Sequence, residues 1–174
     1  MNLAKDDFYC GAFLSYLVNG KAVPALFDEV EDKTRKIYKV TTNKLMYTVY
    51  VKSCTKPLKS KGGESNLWTF SFTERQIDEI SNISNDVEHQ LFKFVFICGQ
   101  EKLNESTIAV ISFDELLKCI DIYRVHKYKP QNVMIRYYKG QKAFRVYGTT
   151  RDEISDGKEN ALRIKTNRIE NTFI

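Results

Sequence analysis

The strictest alternation of apolar and polar side chains lies between Leu67 and Phe72. Trp68, Phe70 and Phe72 fall on one face of an extended segment, and Thr69 and Ser71 on the other. A period of two marks a half-buried strand. Leu91 to Cys98 is almost wholly apolar, which predicts a strand covered on both faces. Lys36 to Thr41 and Leu45 to Cys54 are rich in Tyr, Val and Thr and flank Thr42-Asn43, the pattern of a hairpin. Val133 to Tyr138 and Gln141 to Tyr147 form a second such pair around Lys139-Gly140. Thr107 to Ile111 reads as a further short strand.

Helices announce themselves by their starts. Thr73 with Gln76, and Ser112 with Glu115, have the spacing of capping boxes, in which the first side chain accepts from the third residue's N–H and the third reaches back. The first opens a helix with Ile77, Ile80 and Ile83 as its stripe. The second opens one to about Ile122, with Leu116, Leu117 and Ile120 inward. Phe8 to Val18 reads as a helix capped by Asp6 or Asp7 and ended at Asn19-Gly20. Ala22 to Phe27 carries no assignable period, and Asp28 to Asp32 reads as an acidic loop.

The expectation is an α+β chain: a single domain over residues 1–149 in αβββαββαββ order, with a mixed or antiparallel sheet, two hairpins and about three helices. Beyond it, residues 150–174 read as a polar C-terminal extension, loosely held. Its apolar rhythm is weak, carried by Ile154, Leu162, Ile164, Ile169 and Phe173.

Composition narrows the class. The 174 residues are 43% hydrophobic and 28% charged, ordinary for a folded chain. No apolar run nears the roughly 20 residues of a membrane helix, and the expectation is a soluble, cytoplasmic protein. Cys10, Cys54, Cys98 and Cys119 form no CxxC pair, so they read as free structural thiols rather than zinc ligands. Cys10, near a helix start, is weighed as a low-pKa thiol against plain core packing, and packing is favoured. His89 and His126 stand at no ligand spacing and read as surface residues. No phosphate-binding glycine loop, nucleophile elbow or HExxH is present.

Charge changes the picture most. Lys33 to Lys61 contains nine Lys or Arg and no acid, and Ile122 to Arg151 contains eight and again no acid. Gly62 to Asp121, between them, holds eleven acids against four bases. Tyrosines punctuate both basic stretches, among them Tyr47, Tyr50, Tyr128 and Tyr137. Cations neutralise phosphates and aromatic faces stack on unpaired bases, so these hairpins are candidate contacts for DNA or RNA. The candidate binding residues are Lys52, Lys56, Lys59, Lys61, Arg136, Lys139, Lys142 and Arg145. Lysines on strand edges also serve simply to keep sheets from pairing. The same charge segregation equally suits a protein-interaction module or a homodimer.

The order helix, strand, strand, strand, helix, strand from Phe8 to Cys98 resembles the core of the PD-(D/E)xK, or restriction-endonuclease-like, superfamily. That resemblance implies a nuclease-like scaffold. An Asp on the second strand and a Glu-x-Lys on the third would hold a divalent metal and orient a water. The second predicted strand offers Lys52 in Tyr50-Val51-Lys52, with Tyr where a carboxylate belongs, and the third, Trp68 to Phe72, has neither acid nor Lys. The one literal Glu-x-Lys, Glu31-Asp32-Lys33, precedes the strands, and Asp28 is too near it to be its partner. The departure points to a catalytically degenerate accessory that binds nucleic acid and needs no cofactor. Magnesium is expected only in the alternative of an active metal-dependent nuclease, for which Glu74 and Lys52 are the candidates.

Overall fold

The computed structural model describes residues 2–27, 32–123, 130–151, 153 and 160–174. Helix α1 (Lys5–Asn19) precedes strands β1 (Val23–Leu26), β2 (Lys36–Thr41) and β3 (Met46–Cys54). Then come β4 (Leu58–Lys59), β5 (Ser65–Phe72), α2 (Glu74–Asp86), β6 (Phe92–Cys98), β7 (Thr107–Ser112) and α3 (Phe113–Leu117). β8 (Gln131–Tyr138), β9 (Ala143–Gly148), β10 (Leu162–Lys165) and α4 (Arg168–Phe173) complete the chain. Both capping boxes form: Thr73 accepts from the Gln76 N–H and Ser112 from the Glu115 N–H.

The described strands make two five-stranded sheets. The first runs β1-β2-β3-β6-β7. It is antiparallel except for β3 and β6, which lie parallel because α2 intervenes between them in the chain. The second runs β10-β9-β8-β5-β4 and is antiparallel throughout. The chain is thus α+β, with both expected hairpins in place: β2–β3 turns at Thr42, whose N–H donates to the Leu45 carbonyl, and β8–β9 turns at Lys139-Gly140.

The period-two faces explain why the sheets stack. β5 turns Trp68, Phe70 and Phe72 toward the first sheet, where Phe70 meets Phe96 at 4.7 Å between ring centroids. β6 is covered on both faces, as an apolar run broken only by Lys93 requires. Phe92, Phe94 and Phe96 join the core between the sheets, while Val95 and Ile97 join a second core beneath α1 and α4. Tyr9, Phe13 and Leu17 of α1 and Ile169 and Phe173 of α4 close that second core.

Several sequence expectations shift. The unassigned Ala22 to Phe27 region contains the edge strand β1. The α1 start lies earlier than Phe8: Asp7 accepts from the Ala4 N–H, while Asp6 is held by the Ser53 hydroxyl. α3 ends at Leu117, short of Ile122. The stretch read as a polar extension supplies β10 and α4, and Ile164, Ile169 and Phe173 are buried. Arg168 of α4 donates to both carboxylate oxygens of Glu115, at 2.7 and 2.5 Å, tying that helix to α3. Sparse apolar residues suffice there because each one lands in a core built by other segments.

Candidate nucleic-acid interface

The candidate cations separate into two groups. Lys52 is the clearest correction. It lies on β3 facing the core, 6% exposed, and its ammonium donates to Gln76 Oε1 at 2.8 Å and sits over the Phe72 ring. Burial drives its pKa down to about 8, against partial recovery from Asp32. Such a lysine cannot reach a phosphate backbone.

Lys52 belongs to a polar cluster where β2, β3 and the start of α2 meet. Gln76 donates through Nε2 to Asp32 and to the Thr34 hydroxyl, each at 2.8 Å. Burial alone would raise the Asp32 carboxyl, but hydrogen bonds from Thr34 and Gln76 hold it at about 2. Arg35, 5% exposed, donates to both oxygens of Glu79 in a fork. Tyr50 lies beside them. Burial, reinforced by Glu79, keeps its phenol protonated far above the usual range, and its hydroxyl makes no well-formed hydrogen bond. The cluster is closed on itself: each charge except that of Lys52 faces an opposite charge or several donors. Among the described residues no group of three or more His, Cys, Asp or Glu is placed to hold a metal ion.

Arg136 and Arg145 are also engaged. They are register partners on the outer face of β8 and β9. Glu153, 6% exposed, accepts from Arg136 Nε at 3.0 Å and stands 3.6 Å from Arg145. The Arg145 guanidinium lies 4.7 Å over the Tyr138 ring. The expectation that these arginines present themselves to phosphate is therefore corrected: they face outward in the strand alternation, but a carboxylate from the chain itself neutralises them. Nothing in the sequence marked Glu153 for this, because it lies seventeen residues from Arg136 in a stretch with little period.

The remaining candidates are exposed. Lys56, Lys59 and Lys61 lie before, on and after β4, and Lys139 and Lys142 lie in the β8–β9 turn. The two groups meet, because β8 pairs with β5 and β5 with β4. The turn between β4 and β5 is tight: Gly62 and Gly63 take φ of 89° and 71°, which a Cβ would strain. The Lys139 N–H donates to the Glu64 carbonyl at 3.0 Å, so the tips of both basic stretches are joined. Beside them opens a groove of about 340 Å³ lined by Lys59, Asn66, Tyr137, Lys139, Gln100 and Glu105, among others. A second, of about 270 Å³, is lined by Lys56, Lys59, Gln100 and Lys102, with Glu101 and Glu105 among its other walls.

Glu74 is exposed at the first turn of α2. Cys10 is buried and its thiol is pushed up to about 11 by burial, so core packing prevails over a reactive thiol. All four cysteines are free. His89 is exposed and lays its ring on Phe113 at 4.4 Å. Asp28, Glu31, His126, Tyr128 and Ile154 lie outside the described residues. No described helix is long and apolar enough to cross a membrane. Compared with known proteins, the chain matches no family model, no curated protein and no solved structure.

Proposed function

We propose that this chain binds nucleic acid through the lysines at one end of its second sheet, and that it is a nuclease-like accessory without metal-dependent cleavage. One observation carries the reading: the exposed lysines of two acid-free stretches, some eighty residues apart in sequence, meet at the joined tips of β4–β5 and β8–β9. Clustered exposed ammonium groups release counterions on meeting phosphates, and a mobile lysine is suited to a backbone it does not read.

The nuclease-like part rests on the first sheet. In the order read from the sequence, the second strand, β3, carries Tyr50-Val51-Lys52 with a tyrosine where a carboxylate would be wanted, and the third, β5, has neither acid nor Lys. Arg35, just before β2, brings a guanidinium to the same corner. A cation and a phenol in the place of two carboxylates oppose a divalent metal.

A fluorescence-anisotropy titration of labelled duplex DNA, single-stranded DNA and RNA, at two salt concentrations and with or without magnesium, tests this. The expected result is affinity that falls steeply with salt and a probe that stays intact with magnesium. Absence of binding at low salt overturns the reading, and magnesium-dependent probe cleavage replaces it with an active nuclease. A second reading, protein pairing, draws on the edge strand β1, where Val23 and Leu26 are 64% and 57% exposed. A mass that rises with concentration, without nucleic-acid affinity, is its signature.

A further inference from the structure

The groove beside the lysine tips has features that none of the basic stretches explains. Lys59, Asn66 and Tyr137 are register partners on three successive strands, β4, β5 and β8, and so share one face. Strands lie about 4.8 Å apart, which sets an ammonium, an amide and a phenol in a row spanning about 10 Å. None of these three polar groups makes a hydrogen bond or ion pair among the described residues. Lys139, two residues beyond Tyr137, adds a second unpaired ammonium at the rim. Gln100 on its wall, and Thr55 on the wall of the second groove, follow β6 and β3, the one parallel strand pair among the described residues. The carboxyl ends of parallel strands are where open α/β sheets hold their ligands.

The wall is set in advance. Trp68 Nε1 donates to the Gly99 carbonyl at 2.8 Å, and the Tyr9 hydroxyl to that of Gln100 at 2.9 Å. Gly99 is required there, since a Cβ would stand 2.6 Å from the Tyr9 ring. Gln100, which also lines the groove, spends a side-chain amide N–H on the Glu105 carbonyl at 2.8 Å, and its side-chain oxygen has no donor among the described residues. At about 340 Å³ the space is at the lower end of the roughly 300–1,000 Å³ of small-molecule sites.

We infer that this groove takes one unpaired nucleotide of a single strand, a conclusion that rests on the nucleic-acid reading above. The base enters against Tyr137, whose ring supplies a stacking face, and its edge meets the Asn66 amide and the Gln100 oxygen. The phosphate sits against Lys59 and Lys139, and the exposed carboxylates of Glu64 and Glu105, on the same lining, repel it elsewhere. A paired base cannot enter without leaving its stack, so the site discriminates against duplex. Lys56, Lys61 and Lys142 continue the positive rim beyond the groove, which favours a strand over an isolated nucleotide.

The test compares a labelled 12-nucleotide single strand with the duplex of the same sequence, each as RNA and as DNA, on the full chain. The single strand is expected to bind at least about tenfold more tightly than duplex, the scale of one base–aromatic stack. Tyr137→Leu should lose about tenfold on the single strand and little on duplex, and Asn66→Ala about fivefold. Because Tyr137 also packs on Phe144 at 5.5 Å, circular dichroism must first establish that its variant folds. Asn66→Ala, at a half-exposed position, serves if it does not. Equal affinity for single strand and duplex overturns the inference and leaves general nucleic-acid binding standing. Unchanged single-strand affinity in folded Asn66→Ala and Tyr137→Leu overturns it as well. Silence of every probe at low salt removes both readings together.

Discussion

Two regions of this molecule carry cations that look alike in the sequence and differ in every physical respect. Around β2, β3 and α2, Arg35 and Lys52 are nearly dry and held by Glu79 and Gln76. At the β4–β5 and β8–β9 tips, Lys59, Lys61 and Lys139 are exposed and unpaired among the described residues. Desolvation governs the first group, since a buried charge left without its partner costs several kcal/mol. Solvent screening governs the second, where a charge contributes almost nothing to folding and remains available to a phosphate. The difference teaches that a basic stretch is not a basic surface. Of the eight cations the sequence offered, Lys52, Arg136 and Arg145 are spent on the protein itself.

The comparison breaks most visibly at Glu79. Glu79→Ala strands the Arg35 guanidinium in a site where it is 5% exposed, and is expected to lower stability by about 3 kcal/mol, read as a fall in the urea midpoint. A change near zero means that Arg35 escapes to water and that the cluster is not dry. Next in size is Glu153→Gln, which leaves Arg136 and Arg145 without their shared counter-charge. It should cost about 2 kcal/mol, less than a fully buried pair because the Arg136 side chain is 21% exposed. If it instead raises nucleic-acid affinity without loss of stability, the arginine face is a latent part of the interface.

The smallest and most selective effect belongs to Lys52→Met. The folded pKa of Lys52, about 8, lies below the 10.5 of the free side chain, so the folded state gives up this proton first. Its contribution to stability therefore rises with pH between about 8 and 10.5 and is at its worst below 8. Burial raises the Cys10 thiol from 9.0 to about 11 and the Cys119 thiol from 9.0 to about 12, which pulls the opposite way above pH 9. Subtracting the variant's urea midpoints from those of the natural chain cancels these terms. The natural chain should gain on Lys52→Met as pH rises from 7.5 to 10, and a constant gap across that range disproves the buried charge. Nucleic-acid affinity should be unaltered by the same substitution, in contrast to Lys59→Gln, which should lower the salt slope by about 0.7 for each lost contact to a single strand.

What the sequence determined by itself is local. Capping boxes at Thr73 and Ser112, the alternation of Trp68, Phe70 and Phe72, the doubly apolar Phe92–Cys98 and both hairpin turns follow from side-chain period and backbone chemistry within a dozen residues. The free lysines at the hairpin tips were legible for the same reason, since turn residues are exposed whatever the rest of the chain does. Only tertiary structure decided the rest. β4 and β5, which lie between β3 and β6 in the chain, joined β8 in a second sheet, which brought Lys59, Asn66 and Tyr137 into one row. The fold also buried Lys52 against Gln76 and placed Glu153 between two arginines. The reason is that burial and ion pairing depend on which faces meet across long sequence separations. One lysine has the same letter and the same intrinsic charge in a core and in water, and only the packing sets what that charge costs.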